Sequence, residues 1–470
     1  MVVGEFTETA DLLIIGGGPG GYVAAIRAAQ LGRQVTLVER DALGGICLNV
    51  GCIPSKALIS VADEFHRISG GASRGIRVVD AAVDMNQVQE FKQGVVSRLT
   101  GGVGQLMKAN RVTVVKGEAR FVGDHQVRVV SDYESKKFEF RHAIVATGSR
   151  PRPLLALPVD GSVVMGSTEL LALGRVPNHL IVVGGGYIGL ELGTAFRKFG
   201  SRVTVVEATD RLLPGTDPML VRLVSRRLQQ MGVTVHLGAA ITQAKVEGKM
   251  AALTIGDEVV TGDAVLVTVG RIPNTDTLDL VEAGITPDNQ GFIPVDEKLR
   301  TGNQDVAAIG DITPGPMLAH KASYQGKVAA ESLSGLPSAA DASAIPAVIF
   351  TDPEIASVGL TEAEARQRSD DVIVGRFPFQ ANGRALSIGQ SMGEAVVVAE
   401  ESSGQLLGVH VVGPEASNLI AEGTLALEMG ATLEDLALTI HAHPTLSETV
   451  IEAAEAALGR PIHTAPRRKA

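Results

Sequence analysis

Short apolar runs that end in glycine clusters open the chain and return in its middle. Asp11 to Ile15 reads as a strand, GGGPGG follows, YVAAIRAAQLG has helical periodicity up to Gly32, and Gln34 to Val38 reads as a second strand closed by Glu39. The same order recurs from Leu180 to Val183, through GGGYIG and a helix carrying Glu191, to a strand from Arg202 to Val206 closed by Glu207. Strands that alternate with helices predict an α/β fold with parallel sheets. Further on, VIF, AVVVAE and LLGVHVVG have strand character, and helix patterns lie around residues 415–429 and 446–457. The C-terminal region therefore reads as α+β.

The glycine spacing adds chemistry to this pattern. Gly16, Gly18 and Gly21 fit G-x-G-x-x-G, in which the first glycine makes a tight turn, the second admits a pyrophosphate and the third lets helix and strand pack closely. Gly184, Gly186 and Gly189 fit it again. Glu39 follows Gly16 by 39 − 16 = 23 positions and Glu207 follows Gly184 by 207 − 184 = 23, where a carboxylate can accept from adenosine ribose hydroxyls. A single motif of this kind can be mere packing. Two, each with its acid, predict two Rossmann-like dinucleotide-binding domains. The carboxylate of Glu207 would repel a 2′-phosphate, which favours NAD over NADP, with Arg211 nearby as the one contrary sign.

With 470 residues the chain is long enough for about three domains. A formal charge of −10 disfavours a nucleic-acid partner. No export signal is read in MVVGEFTETA, and no apolar run is expected to reach membrane-spanning length, so a reducing, cytoplasmic setting is expected. Both cysteines of the chain, Cys47 and Cys52, fall in GGICLNVGCIPSK. On a regular helix their Cα atoms would stand roughly 8.6 Å apart, beyond the roughly 4.4–6.8 Å that a disulfide spans. The backbone between them is therefore expected to bend, with Gly44, Gly45 and Gly51 giving the latitude and Pro54 suiting a first helical turn. Two buried thiols would need neither bend nor glycines, which favours a redox-active pair; no metal site is expected.

With these motifs the sequence resembles the pyridine nucleotide-disulfide oxidoreductases, and within them the branch that oxidises dihydrolipoyl groups for 2-oxoacid dehydrogenase complexes. ATGSRP (146–151), VGRIPNT (269–275), AIGDITPGPMLAHKA (308–322), FTDPEIASVGLTE (350–362) and HAHPTLSE (441–448) carry the likeness along the whole chain. It implies an FAD-binding domain over 1–150, an NAD-binding domain over 151–272, a central domain over 273–346 and an interface domain over 347–470, with Pro-rich joins in SRPRPLLALP and SGLPSAADASAIP. It implies FAD and NAD as cofactors, a homodimer, and a lipoylated acyltransferase as partner, without membrane insertion.

The resemblance also implies roles. Cys47 would exchange with the substrate, Cys52 would stand by the flavin, His443 would be the base and Glu448 its orienting carboxylate, with His441 a possible helper and the partner subunit completing the site. Lys56 would tune the flavin and pair with Glu191. Asp311 would meet the ribityl chain, Ala319 the ring through its backbone, and Ala119 the adenine, while Gly148 and Gly270 join the glycines as cofactor contacts. Tyr187 departs from the branch, because a tyrosine there covers the flavin in glutathione reductases. A glutathione-reductase-like enzyme would want an arginine-bearing NADP site, and a non-catalytic assembly component would not need Cys47, Cys52 and His443.

Overall fold

The computed structural model describes residues 7–70 and 74–465. The first six residues, on which the reading of the N-terminus rests, lie outside the described residues, as do 71–73 and 466–470. The chain divides into two compact units, one formed by 1–176 with 267–341 and the other by 177–266 with 342–470.

The first unit is built on β1 (Thr7–Ile15), α1 (Pro19–Gln30), β2 (Val35–Glu39), α2 (Gly45–Asn49), α3 (Cys52–Ser69), α4 (Met85–Ala109), β3 (Thr113–Lys116), β4 (Glu118–Gly123), β5 (Gln126–Val130) and β6 (Ser135–Val145). Its sheet runs β3-β2-β1-β6, all parallel, with Val306–Ala308 parallel beside the C-terminal half of β6. The N-terminal half of β6 pairs instead with β5, antiparallel, and β5 with β4. That long partner explains why β1 starts at Thr7, ahead of the apolar run: Thr7 to Ala10 pair with Lys137 to Phe140 although the first three are exposed. Leu12, Leu13 and Ile14 are wholly buried, as a parallel strand covered on both faces requires.

By length and mean hydropathy the segment Gly45–Ser69 does reach membrane-spanning size, contrary to the expectation from sequence. It is the cysteine-bearing pair of helices, interrupted at Val50 and Gly51 and packed through Leu58 and Ala62. A single segment of this size, by length and composition alone, assigns no membrane span.

The second unit holds the repeated pattern. His179–Val183 pairs in parallel with Arg202–Val206 and that strand with Thr234–His236, while the helix Tyr187–Phe199 follows the glycines. A three-stranded antiparallel sheet, 241–247, 250–255 and 258–262, adjoins in sequence. The remainder is a five-stranded antiparallel sheet in the order 347–349, 354–359, 406–413, 394–400 and 372–378. Helices Ala416–Glu428 and Glu448–Ala457 share one apolar core with it, through Ile420, Val450 and Ala453 against Val397, Val409 and Phe377. Gly375 is needed there, since a Cβ would lie 1.9 Å from the Ala453 carbonyl oxygen.

Candidate active site

In the first unit the loop between β1 and α1 has the shape its glycines imply. Gly16 adopts φ +106°, and a Cβ on Gly21 would stand 1.8 Å from the Gly16 oxygen, so neither position tolerates a side chain. Gly18 caps α1 without a side-chain hydrogen bond, and the nearest atom to a Cβ there would be Gly45 Cα at 4.0 Å. An uncapped helix start facing open space is a cradle for a pyrophosphate. Glu39 accepts from the Gly17 amide at 2.6 Å and the Asp41 amide at 2.7 Å, which aims the carboxylate at the loop. The Gly117 amide donates to the Glu39 carbonyl at 3.1 Å and so brings the start of β4 alongside. Ala119 itself is buried in the core of β4, which leaves only its backbone for a nucleotide.

The cysteines hang from this cradle. Gly44 donates to the Gly17 carbonyl at 2.8 Å, and a Cβ on Gly45 would lie 2.8 Å from Gly18 Cα. Cys47 sits in α2 and Cys52 opens α3, with the expected bend at Val50 and Gly51 between them. Cys47 is half-buried and Cys52 exposed, and no disulfide joins them here. The Cys47 thiol is held far above its ordinary range, first by its hydrogen bond to Cys52, then by burial and the charge of Cys52 and Asp311, with Lys56 opposing. Cys52 stands at the uncapped start of an 18-residue helix, where the macrodipole favours a thiolate. Tyr22 on α1, which sequence reasoning did not single out, has its phenol pKa raised by burial and then by Cys47, so it borders the same pocket.

Asp311 lies in a one-turn 3-10 helix, Gly310–Ile312, and accepts from Ser149 Oγ at 2.5 Å. Ser149 in turn accepts from Arg271 Nε at 2.8 Å. Gly148, at φ +68°, and Gly270, at φ +111°, flank these two residues. Ala319 is the first residue of the helix Ala319–Leu333, again without a side-chain cap. That helix runs parallel to α1 at close range: Gly326 faces the Gly20 oxygen, where a Cβ would be 2.5 Å away, and Arg27 pairs with Glu331 at 2.6 Å further along. Both helices thus present their starts at one end of the sheet. Ser149, Arg271 and Tyr22 were missed because their neighbours come from far along the chain; only the adjacent glycines hinted at the first two.

The second unit repeats the cradle. Gly184 adopts φ +105°, Glu207 accepts from the Gly185 amide at 2.6 Å and from the Thr209 amide at 2.8 Å, and nothing lies within 4 Å of a Cβ on Gly186. Gly189 is buried in the helix. Glu207 is buried and so bound, whereas Arg211 is exposed. Tyr187 is exposed at the helix start, and buried Glu191 accepts from the Phe350 amide at 2.9 Å.

His443 is exposed, and its Nδ1 lies 2.8 Å from Glu448 Oε1. Glu448 Oε2 accepts from the Thr445 amide at 2.8 Å. Burial opposes ionisation of Glu448, but the Thr445 amide and His443 outweigh it and hold the carboxyl below its ordinary value. An anion on Nδ1 keeps the proton there and leaves Nε2 free to act as base. His441 is different: its Nδ1 lies 2.9 Å from the Thr439 oxygen and its Nε2 2.7 Å from Glu422, so both nitrogens are occupied. These contacts fix its ring against Thr439 and Glu422. The cysteines and Lys56 belong to the first unit, His443, Glu448 and Glu191 to the second.

Residues 10–326 match the family model described as pyridine nucleotide-disulphide oxidoreductase, and residues 345–454 match the dimerisation domain of the same family. The chain is 50% identical over 467 residues to a dihydrolipoyl dehydrogenase of Geobacillus stearothermophilus, covering 98% of this chain and 99% of that protein. It is 49% identical over 475 residues to one of Halobacterium salinarum, covering 99% and 100%. Its fold matches the crystal structure of LpdA from Mycobacterium tuberculosis with a TM-score of 0.90 at 29% identity, covering 95% of this chain and 99% of that one.

Proposed function

Because the chain belongs to the pyridine nucleotide-disulphide oxidoreductase family, we propose that it oxidises protein-bound dihydrolipoyl groups to lipoyl groups, as its relatives' names describe, with FAD and NAD as cofactors. The observation that carries this reading is the cysteine pair itself: Cys47 and Cys52 lie on two short-linked helices broken at Val50 and Gly51, hang from the first glycine cradle through Gly44 and Gly45, and leave Cys52 at a helix start. Bound FAD supplies the two-electron acceptor next to Cys52 and NAD+ the final acceptor.

In the oxidised protein Cys47 and Cys52 form a disulfide. His443 Nε2 takes a proton from one substrate thiol, and the thiolate attacks Cys47, because the thiolate performs the exchange. Cys52 leaves as the thiolate that its helix start stabilises. The second substrate thiol gives up its proton as its sulfur attacks the mixed disulfide, and that proton goes to the departing Cys47 sulfur, while the first stays on His443. The substrate has lost two electrons and two protons, and the cysteines have gained the electrons.

The open faces of Gly18 and Gly186 suit two pyrophosphates, with Glu39 and Glu207 positioned for adenosine riboses. We assign 1–150 to FAD, 151–272 to NAD, 273–346 to a central domain and 347–470 to the subunit interface. Within the first unit Lys56, Asp311, Ala319, Gly148 and Gly270 would be further cofactor contacts. The match of 345–454 to a dimerisation domain supports a homodimer, in which His443 and Glu448 of one subunit serve the cysteines of the other. A lipoylated acyltransferase of a 2-oxoacid dehydrogenase complex is the partner this chemistry needs, and a reducing, cytoplasmic compartment suits a catalytic disulfide.

Purified FAD-loaded protein assayed with dihydrolipoamide and NAD, and with glutathione disulfide and NADPH, tests the reading. Robust NADPH-driven glutathione disulfide reduction without lipoamide turnover would overturn it.

A further inference from the structure

Lys321 is only 4% exposed and sits in the first turn of the helix Ala319–Leu333. That is a poor place for an ammonium group. Burial costs it hydration, and the positive end of the helix dipole repels it. Its acceptors are backbone oxygens of one turn: Pro314 at 3.0 Å, Gly310 at 3.3 Å and Thr313 at 3.3 Å. Burial lowers the lysine pKa, and the carboxylate of Asp311 works against that shift. Gln325, one turn along the helix, holds the same loop from its other polar group, accepting from the Gly310 amide at 2.8 Å. The loop so gripped carries Asp311, whose other support is the Ser149 hydroxyl.

We propose that Lys321 is a positioning residue for the flavin cofactor, tying the Gly310–Pro314 turn to the start of the Ala319 helix so that the Asp311 carboxylate and the Ala319 amide face the cofactor at a fixed separation. The proposal rests on the assignment of Asp311 and Ala319 as FAD contacts made above. Removing the ammonium takes the lysine donor from the Thr313 and Pro314 oxygens and leaves the Gly310 oxygen with Thr313 alone, which frees the turn to move.

The test is FAD release from the full-length holoenzyme on dilution, followed by the rise in flavin fluorescence. Lys321→Met should release FAD at least about tenfold faster, within the range for unsatisfying buried hydrogen-bond groups, and Lys321→Arg should stay within about threefold of wild type. Lys321→Gln, which keeps a donor, serves if the methionine variant does not fold and should fall between them. Because Lys321 acts through Asp311, its effect should shrink in an Asp311→Asn background, whereas a merely structural lysine would cost the same in both. Wild-type release from Lys321→Met or Lys321→Gln, or equal effects in the two backgrounds, would overturn the proposal. If Asp311→Asn alone releases FAD at the wild-type rate, the assignment of Asp311 fails, and the proposal with it. If Asp311→Asn accelerates release and the lysine variants do not, only the role of Lys321 falls.

Discussion

The two glycine loops are the same device with different attachments. In each, the second residue of the glycine run donates at 2.6 Å to the acid at the end of the next strand, Gly17 to Glu39 and Gly185 to Glu207. Each first glycine has nearly the same positive φ, +106° and +105°. The differences lie in what packs on the loop. Gly17 and Gly18 are met by Gly44 and Gly45, which deliver the cysteine helices, whereas Gly185 is met by Leu212 and Leu213, with Gly186 left open. One loop is therefore locked to the redox pair. The other carries no such attachment, and Gly186 has nothing within 4 Å of where a Cβ would stand.

The largest effect should separate locked from open. Gly21→Ala would drive a Cβ to 1.8 Å from the Gly16 oxygen, with backbone on both sides, so the variant should fail to retain FAD and lose all turnover. Gly186→Ala meets nothing within 4 Å and has an ordinary φ of −76°, so it should fold and keep its flavin. Its Cβ fills the space meant for the pyrophosphate, and KM for NAD should rise about tenfold or more. Flavin absorption of the two purified variants is the check, and a Gly186→Ala protein without flavin would break the comparison.

The cysteines sharpen the first half of it. Cys47→Ser and Cys52→Ser should both abolish lipoamide turnover, because neither can form the disulfide. Only Cys47→Ser should keep the long-wavelength absorption of a thiolate beside the flavin, since Cys52 holds the helix start. Equal bands in the two variants would sink the assignment of Cys52. His443→Gln should lower dihydrolipoamide oxidation by at least about 10²-fold, the low end for loss of a general base, while NADH-driven dye reduction survives. Mixed dimers of Cys47→Ser with His443→Gln subunits should recover activity if the site is shared.

The nucleotide loops were legible in the sequence because everything they need is local. Glycines and acid lie within one strand-helix-strand unit, and strand ends shift only where a distant partner such as β6 extends β1. The cysteine bend was legible for the same reason. What could not be read is the support that arrives from afar: Arg271 and Ser149 behind Asp311, Lys321 beneath its turn, Tyr22 beside Cys47. His441 is a further case. The resemblance implies a helper there, and its contact with Glu422, 19 residues away, could not be read from the motif.

A smaller effect distinguishes the acids. Glu207→Ala should weaken NAD use by about 10- to 100-fold, the span for loss of a charged hydrogen-bond acceptor, without releasing FAD, and Glu39→Ala should loosen FAD first. Adding an arginine through Ala208→Arg to Glu207→Ala should improve NADP relative to NAD. Wild-type enzyme that prefers NADP would mean that the carboxylate does not select the nucleotide.

The smallest effect lies at Asp11 within β1 and at His179, which opens the first strand of the second unit, where an arginine meets different partners. Arg33 donates to Asp11 at 2.7 Å and lies 2.9 Å from His142 Nδ1, whereas Arg202 lies 2.6 Å from His179 Nδ1. Arg33 lowers the Asp11 pKa chiefly through its hydrogen bond, so this contribution to stability is present above the unfolded value of about 3.9 and is lost only as pH falls below it. Burial lowers the pKa of His179, with Arg202 adding to it, and burial lowers those of His142 and His410 as well. A histidine kept neutral in the fold takes up its proton in the unfolded chain first, so stability should begin to fall once pH drops below about 6.5, well before Asp11 matters. Each such histidine can contribute a slope of up to about 1.4 kcal/mol per pH unit. Urea unfolding of holoenzyme between pH 8 and pH 5 should therefore show a flatter pH dependence in His179→Gln than in wild type, and likewise in His142→Gln, whereas Asp11→Asn should lower stability across this range without changing its slope. An unchanged slope in His179→Gln would show that His179 makes no pH-dependent contribution to stability in this window.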